Sequence, residues 1–194
     1  MKILILNASD STTGAARAAS RLHRALDQQD VDNVLLVQKK RSKSNEIIGP
    51  QTNVEVAVSY IRPELDRLVK KRYPKRSGTP YSASWLPFGN IVKKINSFNP
   101  DIVHLHWICG GMMRIEQLAA INAPLLWSLH DMWAFTGGCH YTDAGCTRFL
   151  EKCGTCPVLG SKNENDLSRK VWKRKYNTYR NIKNLTVVGL STWL

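Results

Sequence analysis

Apolar and polar positions fall in blocks along this chain, and the blocks alternate in period. Residues 2–7 (KILILN) form a continuous apolar run, the pattern of a strand covered on both faces. Polar turn material over 7–13 leads to Gly14. Residues 15–26 are alanine-rich, with Ala18, Leu22 and Leu26 spaced to line one helix face. Residues 31–38 (VDNVLLVQ) predict a second strand, followed by Lys39, Lys40, Arg41 and Lys43. In the second half the pattern predicts a short helix over 89–98, a strand over 101–107 and a helix over 112–121 with Met113, Leu118 and Ile121 inward. A strand over 125–129, an irregular cysteine-rich stretch over 132–160, a basic amphipathic helix over 166–183 and a last strand over 185–190 follow.

Residues 42–90 are poorly patterned. A helix over 54–69 fits, weakened by Pro63, and a basic run over 70–76 comes next. Pro74, Gly78, Pro80 and Pro87 predict a long loop over 73–90, of a length that is usually functional or mobile. At the far end Ser191 resembles an N-cap, with Trp193 and Leu194 opening a helix, so the chain reads as a fragment of something longer. Strands alternating with helices imply an α/β fold with a parallel sheet and right-handed crossovers.

The 194 residues fit one domain, with a core that removes roughly 70% of the unfolded surface from water. The net charge of +13 changes the picture, because such a field favours anionic partners: nucleic acid, acidic lipid or phosphorylated substrate. No run reaches the roughly 18–20 apolar residues of a spanning helix. The opening apolar run is too short for the core of a signal peptide and reads as a buried strand of a cytosolic protein. In a reducing compartment the five cysteines argue against a disulfide framework.

Three features carry candidate chemistry. The loop N-A-S-D-S-T-T-G-A-A-R joins a strand to a helix, where exposed amides and the helix dipole suit an anion; a tight turn that needs its glycine is the plain alternative. It matches neither G-x-G-x-x-G nor the P-loop pattern. His104 and His106, two apart, share a strand face, and His130 ends the next strand beside Asp131, where open α/β sheets place ligand-facing groups; a satisfied core histidine is the reading for His104 and the alternative for His106. Cys139, Cys146, Cys153 and Cys156, with His140 alongside, cluster in a loop (137–160) that lacks a core of its own. The C-x2-C pair is half of a structural zinc site; two disulfides or buried thiols are the other readings, and Cys109 reads as packing. Trp127, Trp133, Phe135 and Tyr141 suit a sugar or base platform, or packing beneath the loop. The helix over 167–183 sets Val171, Trp172, Tyr176, Tyr179 and Ile182 along one side, with Lys173, Lys175 and other cations around them. That arrangement fits a membrane surface or an ordinary solvated face.

The motifs T-G-A-A-R-A-A-x-R-L-H-R-A-L, DIVHLHW and W-S-L-H-D-M-W-A-F-T-G-G-C-H-Y, with the later cysteines, resemble the amino-terminal domain of glycosyltransferase family 4 enzymes. The resemblance is closest to bacterial enzymes of exopolysaccharide, capsule or O-antigen synthesis. It implies a Rossmann-like domain forming the acceptor-side half of a GT-B enzyme, which transfers a hexose with retention and needs no catalytic metal. The partners implied are a nucleotide-sugar donor and a saccharide or lipid-linked acceptor, at the cytoplasmic face of an anionic membrane and without nucleic acid. Gly14 and Thr13 would then face the donor diphosphate and His130 the donor sugar, with His106 and Asp131 lining the cleft. The family's paired-glutamate motif belongs to a second domain that residues 1–194 do not include, so the chain alone is expected to be inactive. The rival readings are a basic, zinc-stapled module that binds nucleic acid and a non-catalytic scaffold of the same fold.

Overall fold

β1 (Ile3–Ser9) is buried along its whole apolar run and occupies the middle of the sheet. On one side lie β2 (Asn33–Lys39) and then β3 (Ile47–Ile48); on the other lie β4 (Ile102–Leu105), β5 (Leu125–Leu129) and β6 (Leu185–Gly189). Every pairing is parallel, and the order β3-β2-β1-β4-β5-β6 is that of a Rossmann-like, doubly wound sheet. This computed structural model describes residues 1–192 apart from Thr12, Phe88 and Ala144. Trp193 and Leu194, on which the expectation of a terminal helix rests, lie outside the described residues.

The two-residue period of β1 divides the core. Ile3 and Ile5 join Leu35, Val37, Ile47 and Ala19 on the face covered by α1 (Gly14–Asp27). Leu4 and Leu6 join Val103, Leu105, Leu125, Trp127 and Val171 on the opposite face. That face is covered by α3 (Ile91–Ser97), α4 (Leu167–Tyr179) and the loops between them. Burial of each large aliphatic side chain is worth about 1.5–3 kcal/mol.

Several expectations shift in the structure. α1 packs through Ala15, Ala16, Ala19 and His23, with Leu22 and Leu26 half-buried at the edge of that face. β4 stops at Leu105, so His106 and Trp107 lie just past the strand rather than within it. The helix expected over 112–121 is a 3-10 segment, Ile115–Ala120, because Gly110 and Gly111 take positive φ and turn the chain before it. β3 was not expected: two isoleucines in a polar stretch are too few to show a period. α2 (Asn53–Lys71) runs through Pro63 without a break, started by a capping box of Thr52 and Glu55. The loop over 73–90 is fastened down: Tyr81, Ser82, Ala83, Ser84 and Leu86 are buried, and Tyr81 bridges to Cys139.

Candidate functional site

The strand order reverses at β1, and the carboxyl ends of β1, β4 and β5 open at one end of the sheet, where folds of this kind bind ligands. Asn7 at the end of β1 accepts the backbone N–H of Trp107 on its side-chain oxygen (2.9 Å), which fixes the loop after β4 against β1. Asp10 accepts the amides of Arg41 and Ser42 (2.9 and 2.8 Å) and so ties down the loop after β2. Burial raises the Asp10 pKa, but these bonds outweigh it and hold the carboxyl below its ordinary value.

Thr13, Gly14 and Ala15 line a cleft of about 350 Å³, with Trp107, His130, Asp131 and His140 on its other walls. The Thr13 hydroxyl caps α1 by accepting the Ala16 amide (3.2 Å). No acid occupies the first turn of α1, so its positive end is not internally neutralised. A Cβ placed on Gly14 would meet nothing within 4 Å. The glycine is therefore not required by packing; it leaves open space at the helix end.

Three histidines stack at the ends of β4 and β5. His104 and His106 rings lie 4.6 Å apart and His106 and His130 rings 5.1 Å apart, stacked with interplanar angles of 28° and 26°. His106 Nδ1 and His130 Nε2 share a hydrogen bond of 2.8 Å, and His104 Nε2 meets Ser128 Oγ at 2.9 Å. Burial, reinforced by the neighbouring rings, pushes His106 down to about 3. Burial also lowers His104 and His130, with the Asp131 charge opposing the shift at His130. The stack is accordingly neutral near pH 7.

Asp131 sits behind this row and is largely occupied by protein partners. It accepts Trp107 Nε1–H (3.0 Å), His140 Nδ1–H (2.7 Å) and the Trp133 amide (2.9 Å). Burial opposes its ionisation, but the hydrogen bond from His140 leads the effects that hold its pKa low. His140 Nε2 reaches Ser82 Oγ at 3.0 Å, completing a buried chain of Asp131, His140 and Ser82. Ser82 and His140 lie 58 positions apart in sequence, and no local spacing could have revealed the pair. This polar chain forms part of the wall between the first cleft and a second of about 660 Å³. The second cleft is bounded by Tyr60, Pro63, Asp66 and Arg67 of α2, with Lys39, Lys71 and Arg76 around it.

Beneath the site, Lys175 corrects its sequence assignment. It is 3% exposed rather than part of a solvated basic face. Its ammonium donates to the carbonyls of Trp133 and Thr136 and lies 3.7 Å above the Trp133 ring. Burial drives its pKa down to about 7.

The four cysteines of the loop converge on one small cavity of about 20 Å³, and all five cysteines of the chain are free thiols. Burial first of all raises Cys153 to about 12 and Cys156 to about 11. Among the described residues no three of these sulfurs lie within 4.8 Å of one another; the one group of that closeness is His23, Asp27 and Glu46, away from the clefts.

Set beside known proteins, the sequence pattern of Glycosyltransferase Family 4 matches residues 12–188. The chain belongs to glycosyltransferase family 4. The match takes in the glycine end of α1, the histidine row and the cysteine loop. A stretch of 64 residues is 33% identical to the putative colanic acid biosynthesis glycosyl transferase WcaC of Escherichia coli (strain K12), covering 31% of this chain and 16% of that protein. The chain thus matches only a small part of the length of that relative. No solved structure matches significantly. Among the described residues no helix is long and apolar enough to cross a membrane.

Proposed function

We propose that this glycosyltransferase domain is the acceptor-side half of a two-domain GT-B enzyme. In this reading the enzyme moves a hexose, with retention and without a catalytic metal, from a nucleotide-sugar to a saccharide or lipid-linked saccharide of the cell surface. The observation that carries the reading is that the amide end of α1 and the histidine at the end of β5 line one cleft. Glycosyl transfer separates an oxocarbenium-like sugar from a departing diphosphate. Free amides at Gly14 and Ala15, at the positive end of α1, suit the departing charge. His130, neutral and held by His106, suits a hydrogen bond to the donor sugar, while Asp131 positions Trp107 and His140 behind it. The larger adjoining cleft, with cations around it, suits the acceptor. Work at the cytoplasmic face of an anionic membrane is part of the same reading. We further propose that Cys139, Cys146, Cys153 and Cys156 hold a structural zinc: an all-thiolate donor set suits that ion, although the sulfurs stand wider apart than in a closed tetrahedral site.

The test is turnover of UDP- and GDP-sugars by the complete protein, with His130→Ala and Gly14→Val beside the parent. Gly14 has open space around it, so the valine folds and fills the diphosphate position. Both variants are expected to lose most of the turnover. No turnover with any donor, or turnover indifferent to both changes, refutes the reading.

A further inference from the structure

α2 is built with its polar side inward. The residues it buries are Ser59, Arg62 and Asp66. Arg62 donates through Nε to the Gly111 carbonyl (2.6 Å), and toward the carboxyl end Val69 adds an apolar contact with the core. The aliphatic residues lie elsewhere: Val54, Val58, Ile61, Leu65 and Leu68 recur at the i, i+4, i+7, i+11, i+14 spacing that lines one helix face. Val54 is 72% exposed, Val58 41%, Ile61 53% and Leu68 45%, with Leu65 half-buried. The stripe is about 21 Å long at the usual rise per residue. Scattered exposed aliphatics are unremarkable, but a continuous helical stripe facing water marks a surface made to be covered.

The charge beside the stripe indicates by what. From residue 67 to residue 76 the chain carries Arg67, Lys70, Lys71, Arg72, Lys75 and Arg76 and no acid. Aliphatic side chains flanked by cations on a helix too polar to span form the pattern of an interfacial helix on acidic lipid. α4, the element the sequence suggested for this contact, has its Val171 side packed into the core.

We propose that α2 lies in the headgroup layer of an anionic membrane, its apolar stripe inserted and its basic carboxyl end against acidic lipid. This deepens the membrane part of the reading above. Tyr60, Pro63 and Arg67, on another side of the same helix, border the larger cleft and stay clear of the inserted stripe.

The experiment is co-sedimentation of the chain with vesicles of phosphatidylethanolamine and phosphatidylglycerol, beside vesicles of phosphatidylcholine, with size-exclusion chromatography and light scattering in parallel. It needs no turnover, so its outcome is separate from that of the glycosyl-transfer reading. Ile61→Asp and Leu68→Asp replace exposed residues and leave the circular dichroism spectrum unchanged. Each is expected to cut binding to the anionic vesicles at least about tenfold. Arg72→Glu with Lys75→Glu is expected to weaken binding most at low salt. Lys170→Glu with Lys173→Glu, on α4, is expected to leave it near that of the parent. Binding that survives both aspartates, loss caused by the α4 pair instead, failure of the parent to bind, or a dimer that the aspartates dissociate would each overturn the proposal.

Discussion

Lys175 offers a sharp test of the packing beneath the site. Its amine is fully enclosed, with the carbonyls of Trp133 and Thr136 as acceptors and Cys109, Cys139, Cys153 and Asp131 as the titratable groups facing it. In the unfolded chain the group titrates near its ordinary 10.5; in the fold, near 7. Between those values the unfolded chain binds one more proton, so raising the pH favours the fold. Integrating the difference from about pH 6 to about pH 8.5 gives a gain of about 2 kcal/mol. Higher pH is avoided because the buried thiols contribute with the opposite sign: their raised folded values make stability fall as the unfolded thiols ionise. Lys175→Met keeps most of the volume and removes the titration, while leaving two buried carbonyls without their donor. Urea unfolding of both proteins in metal-free reducing buffer gives the assay. The variant is expected to be the less stable at the alkaline end, and its deficit is expected to shrink by about 2 kcal/mol toward the acid end. Two pH curves that run parallel would refute the account of Lys175 as a buried, nearly neutral amine.

Two further predictions follow from the histidine row and the cysteine loop. His106 Nε2 is buried with no partner, and an unpaired acceptor is better tolerated there than an unpaired N–H. The proton of His106 is therefore expected on Nδ1, donated to His130 Nε2, leaving His130 with its own proton on Nδ1; nitrogen NMR reads both tautomers, and an Nε2–H signal from His130 would contradict this. For the cysteine loop, emission spectrometry is expected to find about one zinc per chain, and removal by a chelator is expected to lower Tm and expose thiols to reagent. Protein lacking zinc with an unchanged Tm would remove the metal from the account.

Much of the fold was legible because apolar runs buried on both faces advertise themselves. The ranges 2–7 and 31–38 overlap β1 and β2 to within two residues at either end, 125–129 coincides with β5, and the glycine junction into α1 stands where the period changes. β3 escaped because two isoleucines carry no period. α2 was legible as a helix, but the usual inference that its apolar side faces the core fails, since Arg62 and Asp66 point inward and Ile61 does not. Lys175 was misplaced for a similar reason: composition assigns a lysine to water, and only the packing of α4 over Trp133 shows otherwise. At the site, Gly14, His130 and Asp131 lie together as the strand-end rule predicts, with His106 hydrogen-bonded to His130 behind them. Ser82 was out of reach, because its link to His140 depends on how a loop without regular pattern folds back over the strand ends.

The central place of β1 also sets a schedule for folding. Ile3–Leu6 pairs on one side with Asn33–Leu36, which follows soon after, and on the other with Ile102–Leu105. At usual rates of synthesis the second partner is made about 100 residues and roughly 5–20 s later. Until then an unbroken aliphatic strand has one unsatisfied edge, the arrangement most open to wrong pairing with a neighbouring chain. Until β4 arrives, the exposed edge of β1 rather than the finished core is the part of the nascent chain open to a neighbour.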